Sequence, residues 1–388
     1  MKVIRLAIAA LSVAAAMPAT YADDNSSEPK FSIRPTGRLL FDGAVYMPDG
    51  DGFTDGVSIP DIRMGVKATY GKWYGKIDVG YSFGKIGLKD VYMQYSFNDQ
   101  NLLRLGYFVH QFGLNAATSS SMKPEMEAPV PDTYFAATGR NMGLMYVMDK
   151  PKIFWGVSAM VAGTSLTTRS NDQGRISGGA ITRFVYRPTT DNGCVTQLGL
   201  SLWYQTALHK RADGVTSPGY FDFKAGFPTR VASVDMLGAD ISDSKGVFKL
   251  SPEIVLAKSR LAFEGQYYYM NVVRSHQLPS YQAHGGYAHL RCLLVGDRSY
   301  GYSHADAGLA TPGKGTLELV AGWNYTDANA GRSHISGGKA SDYNVTLNYY
   351  INKYVVARLR YSYTDVSASS VQRDRHVNTI QARLQILF

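Results

Sequence analysis

The last fourteen residues of the chain constrain its fold more than any other segment. From position 380 onward every even-numbered residue is apolar, and the chain ends on Phe388. Polar residues on the odd positions of this segment are Arg375, Thr379, Gln381, Arg383 and Gln385, and Asn378 is an exception on an even position. A repeat of two residues is that of a β-strand, so this strand has one apolar and one polar face. Strands with an apolar outer face and a polar inner face are the units of a transmembrane β-barrel.

The first residues fit export from the cytoplasm. Lys2 and Arg5 precede an apolar stretch from Leu6 to Met17, and cleavage is expected after Ala22, with Thr20 at the small position two before it. This is the pattern of a cleaved secretory signal peptide, because the apolar stretch is too short to cross a bilayer. No run of 18 apolar residues follows position 22, so such a chain would span a membrane only as a closed barrel. The sequence therefore predicts a signal peptide, a short periplasmic segment and an outer-membrane barrel, at residues 1–22, 23–30 and 31–388.

Segments that alternate apolar and polar residues between turn signals predict sixteen strands. Their ranges are 31–47, 57–70, 72–83, 86–97, 100–112, 140–149, 152–162, 178–189, 194–208, 246–257, 260–273, 280–295, 314–328, 340–352, 353–367 and 374–388. An even number of antiparallel strands brings both ends of the chain to one side of the barrel. The predicted fold is thus all-β, a transmembrane antiparallel β-barrel of about 16 strands. Residues 229–241 also fit a strand, and with one more the count would be 18.

The connections alternate in length along the chain. Short joints that read as periplasmic turns are Tyr70-Gly71, Asn98-Asp99, Lys150-Pro151, Asp191-Asn192-Gly193, Lys258-Ser259 and Asn352-Lys353. Long joints that read as external loops are 113–139, 163–177, 209–245 and 329–339. Two joints depart from this alternation, because 84–85 is short for an external loop and 296–313 is long for a periplasmic turn.

Tyrosine and glycine are frequent and charged residues are few, with 27 Tyr, 39 Gly and 18% charged residues. Tyrosine suits the bilayer interface, where its ring contacts lipid and its hydroxyl contacts water. The net charge of +9 indicates either an anionic partner or basic loops that face lipopolysaccharide. An exported chain without a nucleic-acid motif gives no reason to expect nucleic-acid binding.

Motifs of covalent chemistry such as G-x-S-x-G, H-E-x-x-H, C-x-x-C or a P-loop do not occur in the sequence. We therefore expect no enzyme, no cofactor and no metal centre. The segment Asp49–Gly56 has oxygen ligands at calcium-like spacing, but it lacks the EF-hand register and also suits an external turn. Cys194 and Cys292 could form a disulfide outside the cytoplasm. The strand map places them on non-neighbouring strands, which favours two free, small residues on the barrel wall.

The more polar face of each strand is expected to line the lumen, because a basic residue facing lipid at mid-bilayer costs about 2–4 kcal/mol. On this basis strands 15, 16, 1, 2 and 3 form one wall with ten basic residues against three acidic ones. The wall of strands 10–14 is balanced, with Lys249 and Arg291 against Glu253, Glu264 and Glu318. The basic pore-wall residues that we assign to the anion path are Arg34, Arg38, Arg63, Lys67, Lys76, Arg358, Arg360 and Arg383. The alternative is that lumen arginines pair with loop carboxylates and fill the barrel.

Between residues 57 and 145 the sequence carries a series of short motifs. They are Arg63-Met64-Gly65-Val66-Lys67, Gly80-Tyr81-Ser82-Phe83, Lys89-Asp90-Val91-Tyr92, Leu103-Arg104-Leu105-Gly106-Tyr107-Phe108, Gln111-Phe112-Gly113-Leu114 and Thr118-Ser119-Ser120-Ser121. In this order they resemble the phosphate-selective porin O and P family. The resemblance implies a homotrimeric porin in the outer membrane of a Gram-negative bacterium. It also implies an inward-folded third external loop that narrows each pore.

The resemblance implies roles for individual residues. The third external loop, residues 113–139, would form the constriction with Ser119, Ser120, Ser121 and Lys123. Phe388, a terminal aromatic residue, resembles the signal read by the bacterial barrel-assembly machinery. The sequence departs from the family at His110, and its loop has one lysine beside Glu125 and Glu127. A preference for phosphate over other small anions therefore stays open.

Passive diffusion of small anions through a basic, loop-constricted pore is the function that these features favour most. The main alternative is a barrel with a plugged lumen that acts as a structural or adhesive protein, and conductance in a planar bilayer would separate the two. A barrel enzyme would need a nucleophile and a base that converge at the rim, and none is apparent. A TonB-dependent transporter would need a plug domain before a larger barrel, whereas the strand pattern here starts at residue 31.

Overall fold

The computed structural model of the protein describes residues 29–136, 140–162, 175–212 and 214–388. The predicted signal peptide lies outside these described residues, as does most of the predicted loop 163–177. Among the described residues no helix is both long enough and apolar enough to cross a membrane.

Sixteen antiparallel strands form one closed barrel. They are β1 Phe31–Pro48, β2 Gly56–Tyr70, β3 Trp73–Ser82, β4 Lys85–Asn98, β5 Asn101–Phe108, β6 Asn141–Lys150, β7 Ile153–Ala162, β8 Ser177–Asp191, β9 Cys194–Thr206, β10 Ser244–Lys258, β11 Leu261–Arg274, β12 Tyr281–Val295, β13 Thr316–Ala330, β14 Ile335–Tyr350, β15 Val355–Ser367 and β16 Arg375–Leu387. Each strand pairs with its neighbours in chain order, and β1 pairs with β16 to close the barrel. The predicted fold class and strand count are confirmed.

Side chains alternate between the two faces of the wall as the period of two predicts. On β1, Leu40, Asp42 and Ala44 point inward and are buried, whereas Phe41 and Val45 are 41% and 48% exposed. The same holds for β16, where the odd-numbered polar residues are buried and the even-numbered apolar residues face out. A wall that is apolar outside and polar inside is stable in a lipid bilayer, because closure leaves no strand edge unpaired.

The two ends of the barrel differ in their connections. The tight-turn end has two-residue or similarly short turns, as predicted, where Tyr70 pairs with Trp73 and Asn98 with Asn101. The exception at this end is the connection between β12 and β13, residues 296–315, which is long. The opposite, long-loop end carries the longer segments, apart from the short turn between Ser82 and Lys85.

Three boundary predictions are corrected. The fifth strand ends at Phe108 rather than at 112, because a short helix, α1 at Gly113–Ala117, follows it. The predicted loop 329–339 is mostly strand, since β13 and β14 stay paired up to Ala330 and Ile335 despite the glycines that suggested a loop. Within 229–241 a strand does form at Asp235–Ile241. It pairs with Phe221–Gly226 in a separate two-stranded sheet that is not part of the barrel wall, so the count stays at 16.

Neither the calcium reading nor the disulfide reading gains support. Arg375 donates to the carbonyls of Gly50 and Asp51 and so places a positive charge beside this segment. In the described ranges no group of three or more His, Cys, Asp or Glu side chains could hold a metal ion. Cys194 and Cys292 are both free.

Candidate functional site

The segment between β5 and β6, residues 109–140, contacts strands from several sides of the barrel. Its chain turns at Gly113, whose φ of 81° is in the left-handed region that favours glycine. Side chains from the inner face of the wall hydrogen-bond to its main chain, and they are Ser201 on β9, Gln266 on β11, Asn348 on β14 and Arg358 on β15. Four strands between β9 and β15 thus fix one segment.

Two glutamates anchor the charged part of this segment. Glu125 lies 3.0 Å from His289 Nε2 and sits over Gly322, where the missing side chain leaves room for its carboxylate. Glu127 pairs with Arg383 and, at 3.0 Å, with Arg230. Burial opposes the ionisation of Glu127, but the two arginines hold its pKa below the ordinary value. Both carboxylates therefore act as anchors of the segment.

The connection at the tight-turn end, residues 296–315, also reaches buried side chains of the inner wall. Arg183 on β8 donates to the carbonyls of Asp306 and Ala307, at 2.8 Å each. Gln197 on β9 donates to the same Ala307 carbonyl and accepts a hydrogen bond from Tyr302. Ala307 has no exposed surface. The sequence indicated only that this connection is too long for a simple turn.

A hairpin from the connection between β9 and β10 also packs against buried side chains of the barrel. Its strands are Phe221–Gly226 and Asp235–Ile241, and their apolar residues join one buried cluster with Trp203 and Phe135. Lys249 ties these parts together. Its ammonium lies 4.2 Å from the Trp203 ring centroid and donates to the Phe135 carbonyl at 2.7 Å.

A cavity of about 600 Å³ remains between strands β1–β5 and residues 116–123 of the β5–β6 segment. Sequence-predicted residues that line it are Arg38, Arg63, Lys67, Lys76, Ser119, Ser120, Ser121 and Lys123. Basic residues that the sequence argument missed are Arg104 and Arg140. Acidic side chains in the lining are Asp78, Asp90, Asp132 and Asp306. The structure thus brings together residues that are far apart in sequence, including one from the 296–315 connection.

Most cations of the cavity already have partners. Arg38 and Arg63 share Asp61, with Nε–O distances of 2.8 and 3.1 Å. Lys76 lies 2.7 Å from both Asp78 and Asp90. Each of these charges is therefore partly or wholly neutralised by a neighbouring carboxylate.

The serine turn and the other cations of the cavity make further contacts. Arg38 donates to the hydroxyls of Ser120 and Ser121, at 2.8 and 3.1 Å, so the serine turn lies directly on the basic wall. Arg140 pairs with Asp90 at 2.6 Å. In the described part of the chain, Lys67 and Arg104 have no carboxylate partner. These two are the cations of the cavity without an ion pair in that part of the chain, and Arg38 and Arg63 add to the excess because they share one carboxylate.

Four predicted pore-wall residues do not line this cavity. Arg34 is exposed beside Lys67, its register partner on β2, and has no ion pair within the described ranges. Arg358 donates to the carbonyls of Lys123 and Glu125. Arg360 pairs with Asp342 at 2.8 Å. These two and Arg383 point inward as strand parity predicts, but their head groups are buried against loops and carboxylates, as the alternative reading foresaw.

Arg383 and Phe388 lie at the closure of the barrel. Arg383 donates to Asp42 at 2.7 Å and also contacts the carbonyl of Met126 and Glu127, so it joins β16, β1 and the β5–β6 segment. The main chain of Phe388 exchanges two hydrogen bonds with Gly37, at 2.7 and 3.1 Å. The terminal residue thus completes the β1–β16 ladder.

Similarities to known proteins agree with this architecture. The sequence profile of the family described as phosphate-selective porin O and P matches residues 58–388. No curated protein sequence matches the chain.

Three solved structures with a similar fold are distant in sequence. An anion-selective porin from Comamonas acidovorans is 12% identical with a TM-score of 0.58, over 92% of this chain and 100% of that one. OmpT of Vibrio cholerae in its trimer form is 11% identical with a TM-score of 0.56, over 92% and 99%. The channel DcaP of Acinetobacter baumannii is 13% identical with a TM-score of 0.55, over 92% and 97%. The fold and the family match place the chain in the phosphate-selective porin O and P family, as an outer-membrane porin rather than an enzyme.

Proposed function

We propose that this porin lets small anions diffuse passively across the outer membrane through the cavity beside β1–β5. The observation that carries the proposal is the charge of the lining, which has seven basic and four acidic side chains. A narrow path with low-dielectric walls focuses the field of such an excess and raises the local concentration of anions. The uncompensated charges of Lys67 and Arg104 contribute most, since neither has a carboxylate partner within the described ranges.

We infer that residues 113–136 fold into the lumen and set its narrowest point. Support comes from their hydrogen bonds to Ser201, Gln266, Asn348 and Arg358, which all belong to the inner face of the wall. The serine turn then lies against Arg38 of the basic wall, and Lys123 lines the same path. The connection 296–315 narrows the barrel from the tight-turn end in the same way.

Phosphate is one of the anions that we propose to pass, because the family description names it. The hydroxyls of Ser120 and Ser121 accept from Arg38 and can still donate to a phosphate oxygen, but the neighbouring cations are paired, Arg38 with Asp61 and Lys123 with Asp132. We therefore propose transport of phosphate among other small anions and not an exclusive site for it.

Membership of the family also supports proposals about the assembly and targeting of the protein. We propose a homotrimer, for which the trimer form of the Vibrio cholerae neighbour is the available support. The short turn between Ser82 and Lys85 is an argument against a trimer, because a longer loop at this position often links the subunits of a trimeric porin. We further propose cleavage after residue 22, assembly through a signal that includes Phe388, and contact of the basic external loops with lipopolysaccharide. Mass measurement of the mature protein in mild detergent tests the first two proposals together.

A plugged barrel with a structural or adhesive role is the second candidate. It is favoured by the three segments that pack over β8–β14, which leave little of that half of the barrel open. Conductance of the purified protein in a planar bilayer separates the candidates, since a plugged barrel passes no steady current.

Charge reversal then tests the anion path itself. We expect Lys67→Glu to move the zero-current potential in a salt gradient toward cations, because the residue lines the cavity and has no ion pair to disturb. Arg332→Glu is the matched control, since Arg332 is exposed in the turn between β13 and β14 and does not line the cavity. Equal shifts in both variants would contradict the proposed path.

A further inference from the structure

The lining of the cavity includes apolar side chains next to the basic ones. Its apolar lining comes from Tyr92 on β4 and from Ala116, Ala117 and Met122 in the β5–β6 segment. Met122 follows the serine turn directly and is 45% exposed. A flexible thioether beside a water-filled path can adapt to apolar groups of different shape.

Arg104 is a basic residue in contact with the aromatic part of the lining. Its guanidinium lies 4.4 Å from the centroid of the Tyr92 ring and 5.5 Å from that of Phe108. Its Nε and Nη2 donate to Gln94, whereas its Nη1 has no hydrogen bond within the described residues. A guanidinium that stacks on aromatic rings keeps its edge for an oxyanion, so the anion would be held next to an aromatic surface.

The cations beside the serine turn, which would have to hold a bare phosphate ion, are largely in use, although the serine hydroxyls can still donate. Ser120 and Ser121 accept from Arg38, which also pairs with Asp61. The Lys123 ammonium donates to Asn115 and lies 3.6 Å from Asp132. A small, strongly hydrated oxyanion loses its water only where many donors replace it. Two free cations at an apolar surface suit a larger anion that keeps part of its hydration.

We propose that the preferred solutes are organic anions, in which one carboxylate or similar oxyanion is attached to an aromatic or aliphatic body. The oxyanion meets Lys67 and Arg104, and the body lies against Tyr92 and Met122. The cavity volume of about 600 Å³ falls within the range of roughly 300–1,000 Å³ that organic ligands occupy in proteins. This inference rests on the proposed function, because it requires an open anion path.

Block of the chloride current in planar bilayers tests the inference with the full mature protein. The probes are acetate and benzoate, which share the carboxylate and differ in the apolar body, and inorganic phosphate. We expect benzoate to halve the current at a concentration roughly fivefold or more below that of acetate, since it buries more apolar surface. Inorganic phosphate should need at least as high a concentration as acetate.

Two variants localise the effect. Met122→Ser should bring the blocking concentration of benzoate close to that of acetate, whereas Arg104→Gln should raise the blocking concentrations of both, because both probes share the carboxylate. Val215→Ser is the control, because Val215 is exposed in a hairpin away from the cavity, and it should leave the block unchanged. Equal block by benzoate and acetate, or stronger block by phosphate, would overturn the inference and leave the anion channel intact. A wild-type channel that prefers potassium to chloride would overturn the proposed function itself, and the inference with it.

Discussion

Gly322 gives the sharpest test of how the β5–β6 segment is held. A side-chain carbon at this position would lie 1.9 Å from Oε1 of Glu125 and 2.8 Å from the amide of Asn344. Ordinary contact begins near 3.4 Å, so Gly322→Ala must push the carboxylate away by about 1.5 Å. That shift takes Glu125 out of its 3.0 Å contact with His289.

The loss of stability in Gly322→Ala follows from the burial of this site. Forcing a carbon into a packed site costs roughly 1–3 kcal/mol, and breaking a buried charged pair costs about 3–5 kcal/mol when neither partner can relax. Because the segment can move outward, we expect a loss of about 2–4 kcal/mol in the free energy of unfolding. The loosened segment should also raise single-channel conductance and its fluctuations.

The measurements are urea unfolding in detergent and single-channel recording. Gly87→Ala is the control, because a side-chain carbon there would meet nothing within 4 Å. The double variant Glu125→Ala with Gly322→Ala should recover part of the stability, since the clash is removed. A Gly322→Ala protein with the stability and conductance of Gly87→Ala would refute the reasoning.

Three further results are expected. Deletion of residues 116–136 should raise conductance markedly, and an unchanged conductance would mean that the segment lies outside the lumen. Replacing residues 298–312 by a two-residue turn should also raise conductance, because Ala307 and its neighbours would no longer pack against the inner face of the wall. Glu127 has a lowered pKa, so its anchoring is present above the ordinary value of 4.5 and is lost as the pH falls below it. Current fluctuations should therefore increase in acid, and Glu127→Gln should show them at every pH.

The barrel could be predicted from the sequence because each strand must alternate. A lipid-facing charge is costly, so the polar parity of β1, β2, β3 and β16 is fixed by local sequence. The lengths of the connections then predicted which end of the barrel each one belongs to. An error fell on the long hairpin around 331–338, which was predicted as a loop. Strand number and pairing thus followed from short-range patterns.

The cavity could be predicted only in part. Parity placed Arg358, Arg360 and Arg383 inside the barrel, but which of them meets a loop depends on contacts between residues more than a hundred positions apart. Arg104 was missed because its strand face also carries Leu102, Gly106 and Phe108, so no polar face was visible. The packing of 296–315 has no local signal beyond its length, since it depends on Arg183 reaching two of its carbonyls.

The sign of the zero-current potential of the wild-type channel tests the central claim most directly. Across a tenfold gradient of potassium chloride an ideally selective pore gives about 59 mV, with a sign that tells chloride from potassium. We expect a potential of the chloride sign that weakens as the salt concentration rises, because screening shortens the range of Lys67 and its basic neighbours. A potential of the potassium sign, or a protein that inserts and passes no current, would contradict the account.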